Sequence, residues 1–283
     1  MTFSKSKLLL AFALLELAGV ARAQHLHLNA GAVSTTPGSQ LNFANASTFV
    51  AESGYVLNMV LRTNGPASGL YDGGITFTAL ARDPLNGGPE PGHAGNGAQL
   101  ALVVKSLAGP EGSSWAFWES LECEDFGDRI TFSLPAGLTN GTNRFLLSQN
   151  NGSPGEDPYG HCHGRRYTIS KPGLHTLGVQ IIDVSRNGPG GGPVHLPSPI
   201  YYLHFNAGFN IARLEPATGS TAASFGTRTG SRFYLEANSV LDGSQPWPTV
   251  AGPANGNNRL QSLVDATVSI EAQRFYRLRV TTP

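Results

Sequence analysis

Turn-forming residues divide this chain into short runs, and that division limits the folds open to it. The 283 residues include 35 glycines and 19 prolines, and helical periodicity is absent from the runs between them. The runs are rich in β-branched and aromatic residues and are bounded by Gly, Asn and Pro turn signals, which is typical of strands. The strand-like runs are 55–61, 74–81, 99–104, 115–118, 129–134, 144–147, 165–169, 175–184 and 199–205. This spacing predicts an all-β fold, a β-sandwich.

A run of small residues at 217–221, Ala-Thr-Gly-Ser-Thr, predicts a linker between two domains. We expect a β-sandwich domain over 24–215 and a small C-terminal β module over 221–283. The module contains strand-like runs at 233–236 and 274–280 and has no His or Cys. Any metal chemistry is therefore expected in the first domain.

The first 23 residues have the pattern of a signal peptide. Lys5 and Lys7 precede an apolar run over 8–20, and Ala21-Arg22-Ala23 fits the small-x-small cleavage pattern. We expect cleavage before Gln24 and a soluble mature protein that is secreted, periplasmic or on the cell surface. No later stretch approaches the roughly 18 apolar residues that a membrane helix needs.

The charge pattern argues against a nucleic-acid partner. The signal segment holds three of the 19 basic and one of the 19 acidic residues, which leaves 16 and 18 and a net charge of −2. No basic stripe is present, and a phosphate-binding surface would need one. Charged residues make up only 13% of the chain, against roughly 25% in typical globular proteins.

Two His-x-His pairs, His25/His27 and His161/His163, contain four of the eight histidines. On a strand, residues i and i+2 point to the same face, so each pair can direct two imidazoles to one point. Imidazole is a common ligand of zinc and copper, and a zinc site needs three or four ligands. The pairs predict a shared metal site. The alternative is that each pair is only the solvent-facing half of an alternating strand.

Other residues could complete such a site. Glu119 follows an aromatic run and could be a further ligand or could hydrogen-bond a ligand imidazole. His204 lies on a strong strand and could join the site. We expect His175 to be a partly buried strand residue, and His93 and His195 to be exposed in Gly/Pro loops.

The two cysteines are Cys123 and Cys162. An oxidising compartment favours a disulfide between them. The alternative is thiolate ligation by Cys162, which would require an irregular strand because this residue lies between the two histidines of its pair.

The order of several motifs over roughly residues 24–210 resembles a family of secreted bacterial proteins expressed under the zinc-uptake repressor, many with a PEP-CTERM sorting tail. It is also similar to the surface-anchored "choice-of-anchor M" repeat found beside metal ABC transporters. The motifs are the His-x-His start at 25–32, Gly-Pro-Glu-Gly at 109–112 before the aromatic run 115–119, and His-Cys-His at 161–168 before Lys-Pro-Gly at 171–173. The resemblance implies extracytoplasmic zinc binding linked to zinc scarcity, with a metal transporter or a cell-surface component as the partner.

The C-terminal part departs from that family. The chain ends at Pro283 without the hydrophobic PEP-CTERM tail, so we do not expect surface sorting by that route. Residues 221–283 instead resemble small β modules that close large secreted bacterial proteins, which implies attachment or secretion.

The sequence thus predicts a secreted, non-enzymatic protein that captures or buffers a transition metal, zinc or alternatively copper, through His25, His27, His161 and His163. Motifs of hydrolases and phosphate loops are absent. A competing class is an adhesion or carbohydrate-binding sandwich, suggested by aromatic residues expected at the surface: Trp115, Trp118 and Tyr159. A metal-dependent enzyme would need a base, and Glu119 is the one candidate.

Overall fold

The computed structural model describes residues 26–119, 130–160, 165–241, 245–268 and 273–282. The predicted signal segment, His25, the pair His161 and His163, and both cysteines lie outside these residues. Within them the strands are β1 (Leu26–Ala32), β2 (Leu41–Phe43), β3 (Val56–Leu61), β4 (Tyr71–Gly73), β5 (Ile75–Ala79), β6 (Leu100–Ala108), β7 (Ser114–Trp118), β8 (Phe132–Pro135), β9 (Arg144–Leu146), β10 (Arg166–Ile169), β11 (Gly173–Asp183), β12 (Tyr201–Ala207), β13 (Ile211–Ala217), β14 (Ser220–Gly226), β15 (Arg232–Asn238), β16 (Thr249–Asn255), β17 (Leu260–Asp265) and β18 (Phe275–Thr281).

Helical structure is confined to single turns in the described residues. They are α1 (Ala46–Phe49) and the 3-10 turns Ala51–Ser53, Pro84–Asn86 and Pro189–Gly191. Strands make up 49% and helices 6% of the structure. The predicted all-β class is confirmed.

The first twelve strands form two sheets. A nine-stranded sheet has the order β8-β7-β10-β4-β3-β12-β11-β6-β9, and a three-stranded sheet has the order β2-β1-β5. Most neighbours are antiparallel, but β1 pairs parallel with β5 and β12 pairs parallel with β3.

The two sheets pack face to face around one core, as in a sandwich. Phe77 on β5 meets Tyr167 on β10 edge to face, with ring centroids 5.5 Å apart. Phe43 on β2 meets Tyr201 on β12 in the same way at 5.2 Å. Leu28 on β1 is fully buried in this core. The core therefore extends along the three-stranded sheet and joins it to the larger one.

The predicted linker at 217–221 is wrong. Ala217 pairs with Ser220, so Thr218 and Gly219 form the two-residue loop of the β13–β14 hairpin. Gly219, the second loop residue, has φ +74°, a left-handed conformation that glycine adopts without a steric penalty. A cluster of small residues marks a tight turn here, not a flexible connection.

The remaining strands form two three-stranded sheets, β13-β14-β17 and β16-β15-β18. β13 begins at Ile211 and pairs with β14, so the C-terminal set of strands starts ahead of the predicted boundary at 221. Phe225 on β14 and Phe233 on β15 are fully buried, with ring centroids 5.4 Å apart. These rings join the two sheets in a second, smaller core.

Polar contacts join the C-terminal strands to the sandwich. Asn58 on β3 donates from Nδ2 to the Thr227 carbonyl at 3.0 Å and accepts at Oδ1 from Asn206 on β12 at 3.0 Å. The backbone N–H of Val56 donates to the Asn258 carbonyl at 3.0 Å. The C-terminal strands therefore lie against the middle of the nine-stranded sheet.

Candidate functional site

His27 is the one histidine of the two predicted pairs that the structure describes. It alternates along β1 with Leu26 and Leu28, and both leucines pack into the core. The imidazole therefore points away from the core. Its Nδ1 lies 2.9 Å from the hydroxyl Oγ1 of Thr78. Thr78 belongs to β5, the parallel neighbour of β1.

The segment that carries His161 and His163 is bounded by two described residues. Gly160 lies at the free edge of β5, where the backbone N–H of Ala79 donates to the Gly160 carbonyl at 3.0 Å. The chain is described again from Arg165, directly before β10 and beside the end of β7. The described residues on either side of 161–164 thus lie at the edge of the small sheet and beside the large sheet.

Glu119, the predicted additional ligand, forms an ion pair with Arg165. Glu119 Oε1 lies 3.2 Å from Arg165 Nη2, and the two side chains are 43% and 13% exposed. The Arg165 guanidinium also lies over the Phe145 ring, 5.4 Å from its centroid. Because the carboxylate is engaged by a guanidinium, a second cation at this group would have to compete with Arg165.

His204, the other residue predicted as an additional ligand, lies on a different sheet from His27. It sits on β12 of the nine-stranded sheet, where Nδ1 is 2.9 Å from Thr176 Oγ1. Its strand neighbours Leu203 and Phe205 fill the core, so the imidazole points away from the core on the opposite side of the sandwich from His27. Burial lowers the pKa of His204, and Glu52 opposes that shift.

The expectation that His195 is exposed is wrong. His195 is 1% exposed, because the Pro/Gly-rich loop that carries it folds against the sandwich. Its Nε2 accepts from the backbone N–H of Gly95 at 2.7 Å, and Nδ1 lies 3.0 Å from Ser39 Oγ. With Nε2 accepting, the proton is on Nδ1, so the ring cannot take a proton from Ser39 at that nitrogen. This arrangement is structural and is not a catalytic dyad.

His175 is more buried than expected. It lies on β11 at 0% exposure, with Nε2 3.0 Å from Ser113 Oγ and Nδ1 3.2 Å from the Gly173 carbonyl. Burial lowers the pKa of both His175 and His195. This shift is opposed by the hydrogen bonds that their rings donate to the carbonyls of Gly173 and Ser39 and, at His195, by the charge of Asp183. Neither ring is available as a surface ligand.

The expectation that Trp115 and Trp118 lie at the surface is wrong. Trp115 is 0% and Trp118 is 4% exposed. Trp115 stacks on Tyr167 with centroids 5.3 Å apart, and Trp118 donates from Nε1 to Thr168 Oγ1 at 2.9 Å. Only Tyr159 remains partly exposed. Two of the three aromatic residues that suggested a carbohydrate-binding site therefore lie in the interior.

Within the described ranges, no group of three or more His, Cys, Asp or Glu side chains is placed to hold a metal ion. Three of the four predicted ligands lie outside those ranges, so the four-histidine site stays a prediction. Among the same residues, no helix is long and apolar enough to cross a membrane.

Comparison with protein-family models and with curated proteins identifies no relative of this chain. No model of a protein family matches the chain, and a search of curated proteins gives no match.

Proposed function

We propose that this protein binds a transition metal, zinc as the first choice, outside the cytoplasm, and that it captures or buffers the ion. The ligands in this proposal are His25, His27, His161 and His163. Copper fits the same ligand type and is the second metal to test.

The observation that carries the proposal is the hydrogen bond between His27 and Thr78. Histidines that bind metals usually donate their other ring N–H to an oxygen, which fixes the tautomer and the orientation of the ring. Here Nδ1 lies 2.9 Å from Thr78 Oγ1. With the proton on Nδ1, the lone pair is on Nε2, and we assign Nε2 as the coordinating atom.

Chain connectivity supports a shared site. His25 lies two residues before His27 in the sequence. Gly160, the residue before His161, pairs with Ala79, and Ala79 directly follows Thr78. The described residue next to the second pair therefore lies beside the strand that carries the partner of His27, and this proximity supports a shared site.

The same geometry favours capture over catalysis. A hydrolytic zinc site needs an open coordination position and a base close to it. Glu119, the one candidate base, is paired with Arg165 at 3.2 Å. We therefore assign Glu119 the role of positioning Arg165, which directly follows residues 161–164. We leave His204 out of the site because it lies on the opposite side of the sandwich from His27.

The location is part of the proposal. The signal-like residues 1–23 lie outside the described range, and a secreted, periplasmic or surface-bound protein remains our expectation. The Cys123–Cys162 disulfide is likewise still a prediction.

Metal analysis after secretory expression tests the function. We expect about one zinc ion per chain after loading and desalting, and loss of the ion as the pH falls through the range in which histidine is protonated. Replacing His27 together with His163 by Ala should abolish binding.

His93→Ala is the matched control, because His93 is a partly exposed histidine whose Nδ1 contacts the Ala94 carbonyl and which is not a proposed ligand. The proposal is wrong if the loaded wild-type protein retains less than about a tenth of an equivalent of zinc or copper, or if the double variant binds as the wild type does.

A further inference from the structure

The outer face of the β16-β15-β18 sheet carries an ordered set of arginines. The pairing places Tyr234 opposite Arg279 and Glu236 opposite Arg277. Since Phe233 and Leu235 fill the core, these four side chains point to the other face of the sheet. Arg277 and Arg279 are therefore about 6.6–6.8 Å apart along one strand face.

The Glu236 carboxylate holds the Nε atoms of both Arg277 and Arg279. It accepts from Arg277 Nε at 2.9 Å and from Arg279 Nε at 2.5 Å, and Glu236 itself is 4% exposed. Burial alone would raise the pKa of Glu236, but the hydrogen bonds and charges of the two arginines outweigh it and lower the pKa. One carboxylate thus orients two guanidinium groups and leaves the trio with a net positive charge.

Aromatic rings fix the guanidinium planes. The guanidinium carbon of Arg277 lies 4.6 Å from the centroid of Trp247, and that of Arg279 lies 4.0 Å from the centroid of Tyr234. Arg279 Nη2 also donates to Thr249 Oγ1 at 3.2 Å. An arginine side chain usually loses conformational entropy when it becomes ordered on a ligand. Here the contacts within the fold already order both side chains, so that loss on ligand binding is smaller.

The outward-facing donors remain accessible. The side chains of Arg277 and Arg279 are 54% and 42% exposed. A guanidinium has five N–H donors, and the contacts to Glu236 and Thr249 use one on Arg277 and two on Arg279. Arg232 extends the same face and is exposed. The result is a row of oriented donor forks that suits carboxylate or sulfate groups.

We propose that this face, defined by Arg232, Arg277 and Arg279, binds an acidic polysaccharide that carries carboxylate groups along an extended chain. Uncharged hydrogen-bonding side chains lie on the same face around the arginines and suit sugar hydroxyls: Asn238, Thr249, Asn255 and Thr281. The charge of the C-terminal part is complementary to that of a polyanion. Residues 211–283 contain seven basic and five acidic residues, whereas residues 24–210 contain nine basic and 13 acidic residues.

The same contacts argue against two other polyanions. Single-stranded nucleic acids bind through bases stacked on aromatic rings, but the rings of Trp247 and Tyr234 are each stacked with a guanidinium. A lipid surface would be met by exposed apolar side chains. On this face the arginines are exposed, whereas the rings of Trp247, Tyr234 and Phe275 are only partly exposed. The proposal does not depend on the metal site, which lies in the other part of the chain.

Affinity electrophoresis of the full-length mature protein tests the proposal, with polygalacturonate in the gel and neutral dextran as the reference. We expect retardation by polygalacturonate, little effect of dextran, and weakening as NaCl is raised, since exposed charge pairs are screened by salt. The double variant Arg277→Gln/Arg279→Gln should bind at least tenfold more weakly. Arg213→Gln is the matched control, because Arg213 is also exposed and paired with a glutamate, Glu215, but lies on the β13-β14-β17 sheet.

Arg232→Gln leaves the Glu236 contacts intact, so it tests the face even if the double variant is unstable; it should weaken binding severalfold with an unchanged melting temperature. The proposal is overturned if polygalacturonate does not retard the wild-type protein, or if Arg232→Gln and Arg213→Gln bind alike. Tighter binding to phosphatidylglycerol vesicles or to a single-stranded oligonucleotide than to polygalacturonate would also overturn it.

Discussion

His27 illustrates what a single residue's environment decides. Its position on an alternating strand could be read from Leu26 and Leu28, and the structure places both leucines against the core. Its partner Thr78 could not be found in this way, because a hydroxyl on a distant strand carries no local signal. The partner depends on the parallel pairing of β1 with β5.

The Thr78 hydroxyl tests the role of His27 directly. Thr78→Val keeps the side-chain shape and removes the hydrogen bond to Nδ1. If His27 is a ligand, zinc affinity should fall by roughly 10–100-fold, as is usual when the outer partner of a metal-binding histidine is lost. Competition with a chromogenic chelator measures the change.

Thr76→Val is the matched control, because Thr76 is also buried and lies on the same face of β5, opposite His27 in the register. Equal zinc affinity of the Thr78 and Thr76 variants would remove the structural support for His27 as a ligand.

Strands were the elements that the sequence predicted best. Each of the nine strand-like runs in the first domain overlaps a strand of the structure, because hydrophobic patterning and turn residues are both local. Strands β2 and β4, with three residues each, were missed because they are too short to show alternation. Four longer strands, β13, β14, β16 and β17, were missed as well. The linker at 217–221 was wrong because small residues mark both flexible segments and tight hairpin turns.

Gly160 pairs with the edge strand β5 and directly precedes His161, so its backbone position bears on the proposed site. A Cβ at this position would collide with the carbonyl group of Leu147, so the backbone at the edge of β5 has no room for a side chain. We expect Gly160→Ala to lower the free energy of unfolding by about 1–3 kcal/mol and to weaken zinc binding, since residues 161–164 start there.

Urea unfolding and zinc titration measure the two effects. Gly74→Ala is the control, because a Cβ at Gly74 would meet no atom within 4 Å and should leave both quantities close to wild type. Normal zinc affinity in a folded Gly160→Ala protein would show that the position of 161–164 along this edge is unimportant for the metal.

At the scale of the whole molecule, three histidines link stability to pH. Burial lowers the pKa of His175, His195 and His204. In the unfolded chain these groups take up protons near pH 6.5, whereas in the folded protein they stay neutral to a lower pH. Stability is therefore complete above about pH 6.5 and falls as the pH drops from there toward the folded-state pKa values.

The slope of this loss approaches about 1.4 kcal/mol per pH unit for each histidine involved. We expect His204→Gln to reduce the slope of the unfolding free energy between about pH 6.5 and 5 by up to that amount. Urea denaturation at several pH values, without metal, measures it. An unchanged slope in the variant would mean that His204 does not contribute.

The position of β12 also determines how the molecule must assemble. His204 pairs with Val56 and Thr176, so β12 lies between an early strand, β3, and its own predecessor, β11. Until β12 is added, both of those strands keep an open edge, and open edges invite misassembly and aggregation. Contacts between segments so distant in sequence make folding slow. A chain that ended before β12 would lose the centre of its large sheet. The sandwich can therefore reach its final form only after all twelve of its strands have been made.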